Sequence, residues 1–152
     1  MKLYSFILTI LVGLLPSFAY ANSKSETLAF DIQIIHAQES KEALISDGLE
    51  LFEEDFSSAF SDFNHFTLLQ NSYHRATAKQ PAALLIPSDP PARLLISYLG
   101  RADKDAYNIE ISVDAKVIAK LKLTRGATFF QAGIPYQDGI LIVAITLAKA
   151  GS

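Results

Sequence analysis

The stretch YNIEISVDAKVIAKLKL, residues 107–123, predicts a β-hairpin and is the main reason to expect a mostly antiparallel sheet. Apolar residues alternate along both of its halves, as in strands with one buried face: Tyr107, Ile109, Ile111 and Val113, then Val117, Ala119, Leu121 and Leu123. The two apolar faces coincide if Val113 pairs with Val117 around a three-residue loop, 114–116, because a slip of one residue turns a strand over. The same register places Glu110 opposite Lys120, a favourable cross-strand pair.

Strands are also predicted on both sides of this hairpin. The first is LAFDIQIIHA, residues 28–37, which alternates apolar and polar side chains. Further strand patterns occupy residues 64–71, 82–87, 92–100, 127–133 and 139–147. Residues 140–147 are apolar on both faces, so we place this strand in the centre of a sheet that is covered on both sides.

One segment has a helical period instead. Apolar residues three or four positions apart form a single stripe: Ile45, Leu49, Phe52, Phe56, Phe60 and Phe63. Acidic residues lie off this stripe, and Asp47 with Glu50 has the spacing of a capping box. A calcium loop is the alternative interpretation of the acids, but SDGLELFEED, residues 46–55, lacks alternating oxygen ligands around a turn. We therefore expect one long amphipathic helix.

The order of these elements favours the α+β class. We predict a mostly antiparallel curved sheet or partial barrel, with one amphipathic helix after the first strand. The alternative is a β-sandwich with the helix capping one end. Residues 28–148 are expected to form a single α+β domain, since their number suits one hydrophobic core.

The N-terminal segment has the three parts of a secretory signal peptide. A positive start precedes the apolar run 6–15, Pro16 interrupts it, and Ala19-Tyr20-Ala21 supplies small residues for cleavage. A retained transmembrane helix is the alternative. Such a helix needs about 20 apolar residues, and the apolar run before Pro16 is shorter than that. We expect a signal peptide at residues 1–21, a flexible mature N-terminus at 22–27, no stable membrane span after cleavage, and a periplasmic or secreted protein.

Composition excludes several kinds of chemistry. The chain has no cysteine, which rules out disulfides, zinc–thiolate sites and thiol catalysis. Its charge is unevenly distributed: residues 39–62 contain eight acids and one base, whereas residues 75–125 contain nine bases and five acids. Either these are two solvated faces, or they are a polarised surface that orients a partner. A pI near 5.5 without a dense basic stripe argues against nucleic acid as the partner.

Two segments carry a resemblance. SDGLELFEEDFSSAFSDFNHFTLL (46–69) and LKLTRGATFFQAGIPYQDGILIVAIT (121–146) resemble a family of small exported bacterial proteins of uncharacterised function. The second segment is also similar to a strand–turn–strand of secretins. The family pattern has a glycine pair before the proline, where this chain has Ala132-Gly133-Ile134-Pro135. The resemblance implies a signal peptide and a small α+β domain, and it brings no catalytic residues.

The search for catalytic or metal-binding residues yields few candidates. His36 ends the first strand and His65 begins the second, so neighbouring strands would bring them together, with Asp31 or Asp62 as a further metal ligand. The spacings HxH and HExxH are absent, and the alternative is three separate histidines. The serine motifs GxSxG and SxxK are also absent. We therefore predict no catalytic residues and no cofactor.

Aromatic residues near the last turn are the candidate partner anchors. Phe129 and Phe130 point to opposite faces of a strand, and Tyr136 follows them. The alternative is that further layers cover both faces. The predicted function is an exported, non-enzymatic interaction or binding module of the bacterial cell envelope, whose partner is another envelope protein. The alternatives are a carrier of a small hydrophobic ligand, and a metal-dependent or ligand-binding periplasmic protein or hydrolase that uses His36 and His65.

Overall fold

Strands account for most of the structure. The computed structural model describes residues 26–150, and a 3-10 turn at Glu50–Phe52 there leads into the helix α1, Glu53–Ala59. The strands in this range are β1 (Thr27–Gln38), β2 (Leu44–Ile45), β3 (His65–Thr77), β4 (Ala82–Ile86), β5 (Ala92–Asp103), β6 (Ala106–Val113), β7 (Lys116–Thr124), β8 (Thr128–Tyr136) and β9 (Gly139–Leu147). Among these residues, no helix is long and apolar enough to cross a membrane. The predicted signal peptide and residues 22–25 lie outside the described range.

The strands form two sheets. The larger sheet has the order β2-β3-β1-β9-β8, and the smaller sheet has the order β4-β5-β6-β7. Neighbouring strands are antiparallel, except that β2 runs parallel to β3. The predicted α+β fold with one curved sheet and a sizeable helix is therefore wrong. Residues 26–150 are mostly β, and the single short helix among them lies on the larger sheet.

The main core lies between the two sheets. The larger sheet contributes alternate residues of its central strands: Leu28, Phe30, Ile32 and Ile34 from β1, and Leu141, Val143, Ile145 and Leu147 from β9. The smaller sheet contributes, among others, Leu84, Ile86, Leu94, Ile96, Ile109 and Ile111. Ile35 and Ala37 at the end of β1, and Ile142 and Ala144, which alternate with the core residues on β9, belong to a second cluster on the opposite face. Both faces of β9 are thus covered, as its apolar sequence predicts.

The helix is much shorter than the apolar stripe predicts. The chain turns at Gly48, whose φ is 89°, and the helix ends at Phe60, whose φ is −126°. In between, the Ser57 and Ser58 hydroxyls donate to the carbonyls of Glu53 and Glu54, a pattern that weakens helices. All six residues of the stripe still belong to the second cluster or pack against it. Leu49, Phe52 and Phe56 are buried and the other three are half-buried, so the shared apolar face is confirmed, and the continuous helix is wrong.

The expected capping box does not form. The helical segment starts after Leu49, which makes no side-chain cap hydrogen bond. Glu50 instead accepts a hydrogen bond from the backbone nitrogen of Gly48 at 2.9 Å.

The hairpin of β6 and β7 confirms one predicted pair and corrects another. Val113 pairs with Lys116 rather than with Val117, around a two-residue turn in which Asp114 and Ala115 have positive φ angles. A register shift after Ile111 then brings Glu110 opposite Lys120, and their charged groups lie 3.2 Å apart. The turn is fixed because the Asp114 carboxylate accepts a hydrogen bond from a backbone nitrogen of β5.

Reversal of one charge in this pair is expected to have a small effect. Lys120→Glu places two carboxylates on facing positions and should lower the free energy of unfolding by about 0.5–1 kcal/mol. The double change with Glu110→Lys restores the opposite charges and should recover most of that loss. Urea denaturation of the wild type, the single variant and the double variant measures the coupling. A double variant no more stable than the single one would contradict the pairing.

Glu26 fastens the start of β1 to the smaller sheet, although it lies within the stretch predicted to be flexible. Its carboxylate accepts hydrogen bonds from the Tyr98 hydroxyl at 2.9 Å, from the Tyr107 hydroxyl at 3.0 Å and from the Arg101 guanidinium. Arg125 in turn donates to the Tyr107 hydroxyl at 2.9 Å. Burial alone would raise the pKa of Glu26, but the three donors and the Arg101 charge outweigh it and hold this pKa below 4.5.

The lowered pKa makes part of the stability depend on pH. A carboxyl whose pKa is lower in the folded state stabilises the fold above its ordinary pKa, and this contribution is lost as the pH falls through the folded value. Glu26→Gln should therefore reduce the melting temperature at pH 7, and the difference from the wild type should shrink below about pH 4.5. Thermal unfolding of both proteins between pH 7 and pH 3 tests this (the range spans the carboxyl pKa values). A constant difference across this range would mean that the ionised Glu26 carboxylate does not stabilise the fold through these hydrogen bonds.

Candidate functional site

An aromatic cluster fixes the helical segment to the outer face of the larger sheet. The ring of Phe56 stacks on that of Phe66 in β3, with centroids 4.1 Å apart and planes within 4°. Phe52 meets Phe130 in β8 edge to face at 5.2 Å, and Phe60 approaches the same ring at 5.9 Å. Because these rings come from both the helical segment and two strands, the segment is held in one position on the sheet.

The exposed side of this segment is acidic. Its charged side chains, which we call the acidic ridge, are Glu50, Glu53, Glu54 and Asp55. Within residues 26–150, none of them forms an ion pair. The ridge therefore presents uncompensated negative charge to solvent, in the part of the chain where the sequence has eight acids and one base.

An open apolar pocket of about 480 Å³ lies beside the ridge. Its apolar lining consists of Ala43, Leu44, Ile45, Phe56, Phe63 and Phe66. Glu50 and Glu53 of the ridge also line it, so the apolar surface has two carboxylates beside it. Leu44 is 45% exposed, which is high for a leucine that faces an aromatic cluster.

The chain segment on the other side of this apolar pocket is fixed by hydrogen bonds. Asn64 exchanges two bonds with Ser40: its Oδ1 accepts from the Ser40 nitrogen at 2.8 Å, and its Nδ2 donates to the Ser40 carbonyl at 2.7 Å. The Leu44 nitrogen of the short strand β2 donates to the Asn64 carbonyl, just before β3, at 2.9 Å. The pocket is thus bounded by ordered elements on both sides.

A polar groove of about 590 Å³ lies on the opposite side of the ridge. Its polar lining comes mostly from the outer face of the larger sheet: Asp31, Gln33, Asn71, Thr128 and Thr146, with Asp55 from the ridge. Three of these polar side chains already have partners, since Gln33 donates to the Gly48 carbonyl and the hydroxyls of Thr128 and Thr146 lie 2.7 Å apart. The groove is therefore partly used to fasten the loop before the helix.

The three predicted aromatic anchors divide between the two apolar clusters. Phe129 and Tyr136 pack against the inter-sheet core, where Tyr136 also makes an edge contact with the His36 ring at 5.0 Å, and Phe130 packs under the ridge in the second cluster. Each is partly buried, so layers on both faces of β8 cover much of their surface. The structure does not bring them together into one surface patch.

The two histidines that were predicted to form a metal site, His36 and His65, contact different groups. His36 pairs with Thr67 across β1 and β3, whereas His65 pairs with Gln38. The His36 ring faces Asp138 and Tyr136, and His65 lies 3.1 Å from the Glu42 carbonyl. Residues 26–150 contain no group of three or more His, Cys, Asp or Glu side chains that would hold a metal ion.

The apolar pocket was missed at the sequence level because short, irregular segments build much of it. Leu44 and Ile45 form a strand of only two residues, which is too short to show a period. The only available signal was an apolar pair inside an acidic segment. The acidic ridge itself lies in the charged stretch for which two solvated faces and a polarised surface were the alternative interpretations.

Comparison with known proteins adds no relative. No protein-family profile, curated protein or solved structure matches the chain. The resemblance of residues 46–69 and 121–146 to small exported proteins thus stays a prediction.

Proposed function

We propose that this protein is an exported, non-enzymatic binding module of the bacterial cell envelope, which holds another envelope protein by surface contacts. The observation that carries the proposal is the apolar pocket beside the acidic ridge, whose carboxylates form no ion pair with any residue that the structure describes. The partner segment has an apolar side chain that enters the pocket and Lys or Arg residues that face Glu50 and Glu53.

The two parts of this surface have different physical roles. Burial of an apolar anchor against Phe63 and Phe66 supplies most of the affinity, since removal of apolar surface from water is the main driving force of association. The ridge charges raise the rate of encounter with a basic partner and repel acidic ones. Binding should therefore weaken as salt is added, because salt screens exposed charges.

Export is the second part of the proposal. The features that support it are the apolar run 6–15, its interruption by Pro16 and the site Ala19-Tyr20-Ala21. The purified protein should begin at Asn22, and its intact mass should match residues 22–152. N-terminal sequencing and mass spectrometry of the soluble periplasmic fraction measure both. A protein that begins at Met1 and is released only by detergent would contradict export.

Charge reversal tests the binding surface. The purified protein, fluorescently labelled, is titrated with solubilised envelope proteins at low and at high salt. We expect saturable binding that is weakened at least tenfold by Glu50→Lys with Glu53→Lys, the two ridge acids that line the pocket. The matched control is Asp89→Lys with Asp105→Lys, which reverses two exposed turn acids outside the helical segment that, within residues 26–150, form no ion pair. Equal loss in both double variants would show only a net-charge effect, and unchanged binding by the ridge variant would contradict the proposal.

A further inference from the structure

The outer face of the smaller sheet has exposed apolar side chains at the end where β4 leads into β5. Leu85 of β4 is 63% exposed, Val117 of β7 is 46% exposed, and Leu95 of β5 is half-buried. The strand register places them on one face. Leu85 pairs with Arg93, two positions before Leu95, and Ser112 of β6 lies opposite both Leu95 and Val117. Apolar side chains that cluster on an exposed face are typical of an interaction surface.

Two positive charges accompany these apolar side chains. Arg93 lies directly opposite Leu85, and Lys116 precedes Val117. Both cations are exposed, and neither forms an ion pair with a residue in the range 26–150. The neighbouring turn adds one acid, Asp114, whose carboxylate accepts a hydrogen bond from the Arg93 backbone nitrogen. The surface therefore keeps a net positive charge, and we call its five residues the basic patch: Leu85, Arg93, Leu95, Lys116 and Val117.

The basic patch has the chemistry that the apolar pocket and the acidic ridge require of a partner. Leu85 supplies an exposed apolar side chain, and Arg93 places a cation beside it. We propose that the partner held at the pocket is a second copy of this chain, with Leu85 in the apolar pocket. Arg93 and Lys116 then face Glu50 and Glu53, the two ridge carboxylates that line the pocket.

The positions of the two surfaces decide the kind of assembly. The ridge and the pocket lie on the outer face of the larger sheet, the basic patch lies on the outer face of the smaller sheet, and the main core lies between the sheets. A contact between two different surfaces is heterologous, so each added copy leaves a free pocket at one end and a free patch at the other. We therefore expect an open head-to-tail chain of copies rather than a closed two-fold dimer.

The charge distribution along the sequence agrees with this arrangement. The acidic ridge lies within residues 39–62, with eight acids and one base, and the basic patch lies within residues 75–125, with nine bases and five acids. Unlike faces of two copies attract each other and like faces repel, which orients the copies head to tail. The inference rests on the proposed function, because it uses the same pocket and ridge, and it adds the identity of the partner.

Sedimentation velocity of the purified protein over a wide range of concentrations tests the proposal. We expect the mean mass of the wild type to rise beyond that of a dimer without levelling off, and to fall toward that of the monomer when salt is added. Leu85→Ala with Arg93→Ala, the patch variant, should weaken self-association at least tenfold. The matched control is Leu99→Ala with Lys104→Ala, which removes an exposed leucine and an exposed cation outside the patch and should assemble as the wild type does.

A mixture of two blocked variants tests the head-to-tail arrangement. Glu50→Lys with Glu53→Lys, the ridge variant, keeps an intact patch, and the patch variant keeps an intact pocket. Each variant alone should be monomeric, and their equimolar mixture should form a heterodimer and nothing larger, because one compatible pair of surfaces remains. All four substituted residues are exposed, so both variants should fold as the wild type does, which their melting temperatures check.

The outcomes separate this inference from the proposed function. A wild type that stays monomeric, a mass that levels off at a closed dimer, or a mixture that stays monomeric would overturn the self-association. A patch variant that assembles as the wild type does would overturn it as well. If a monomeric wild type still bound solubilised envelope proteins through the ridge, the proposed function would stand with a different partner.

Discussion

Phe56→Ala is expected to lower the free energy of unfolding by about 3–5 kcal/mol, the range for loss of a fully buried aromatic side chain. The Phe56 side chain is 1% exposed, stacks on Phe66 and also contacts the rings of Phe52, Phe60 and Phe130. Its removal leaves a cavity between the helical segment and the larger sheet. Urea denaturation measures the loss.

Leu51→Ala provides the control for this change. Leu51 belongs to the same segment but is 91% exposed, so its truncation should change the stability by no more than about 0.5 kcal/mol. The Phe56 variant should also lose partner binding, because the ridge is then no longer held beside the apolar pocket. Equal stability of the two variants would mean that the aromatic cluster does not fix the segment.

Gly139→Ala is expected to destabilise the protein by about 3 kcal/mol, at the upper end of the usual cost of overpacking. The added Cβ would lie 2.0 Å from the Ala37 carbonyl oxygen and 3.0 Å from its carbonyl carbon. Both atoms belong to the backbone of a central strand, so relief of the clash requires β1 and β9 to separate at this end. Thermal and urea unfolding of the variant measure the cost.

A neighbouring substitution shows whether the clash is specific. Asp138→Ala changes the same turn but removes an exposed side chain, so its effect on the free energy of unfolding should be small. If Gly139→Ala were as stable as this control, the close approach of the turn to β1 would be wrong.

Much of the strand content is readable from the sequence because strand periodicity is local. Alternation marks β1 and the β6–β7 pair, and the run of apolar residues at 140–147 indicates a strand buried on both faces. The division into two sheets is not local in this sense. β1 pairs with β9, more than a hundred positions along the chain, and no pattern within either strand specifies that partner.

The helix shows why a correct burial pattern can give a wrong element. Residues spaced by three and four fit one face of a helix. In the structure, however, Ile45 reaches the cluster from the two-residue strand β2, and Phe60 and Phe63 reach it from the turn after the helix. Local effects decided the outcome: the positive φ of Gly48 and the serine hydroxyls that bond back to the helix. The apolar pocket depends on these same irregular segments, so it could not be predicted from periodicity.

The claim that the apolar pocket and the acidic ridge hold the partner is tested most directly by photo-crosslinking in living cells. A photoreactive residue replaces Leu44, which lines the pocket and is 45% exposed, or Leu99, which is 55% exposed on the smaller sheet. We expect an adduct of defined mass from position 44 and no such adduct from position 99. Changing Glu50 and Glu53 to lysine should strongly reduce the adduct from position 44. Absence of the adduct at position 44, or an equal yield at both positions, would contradict the claim.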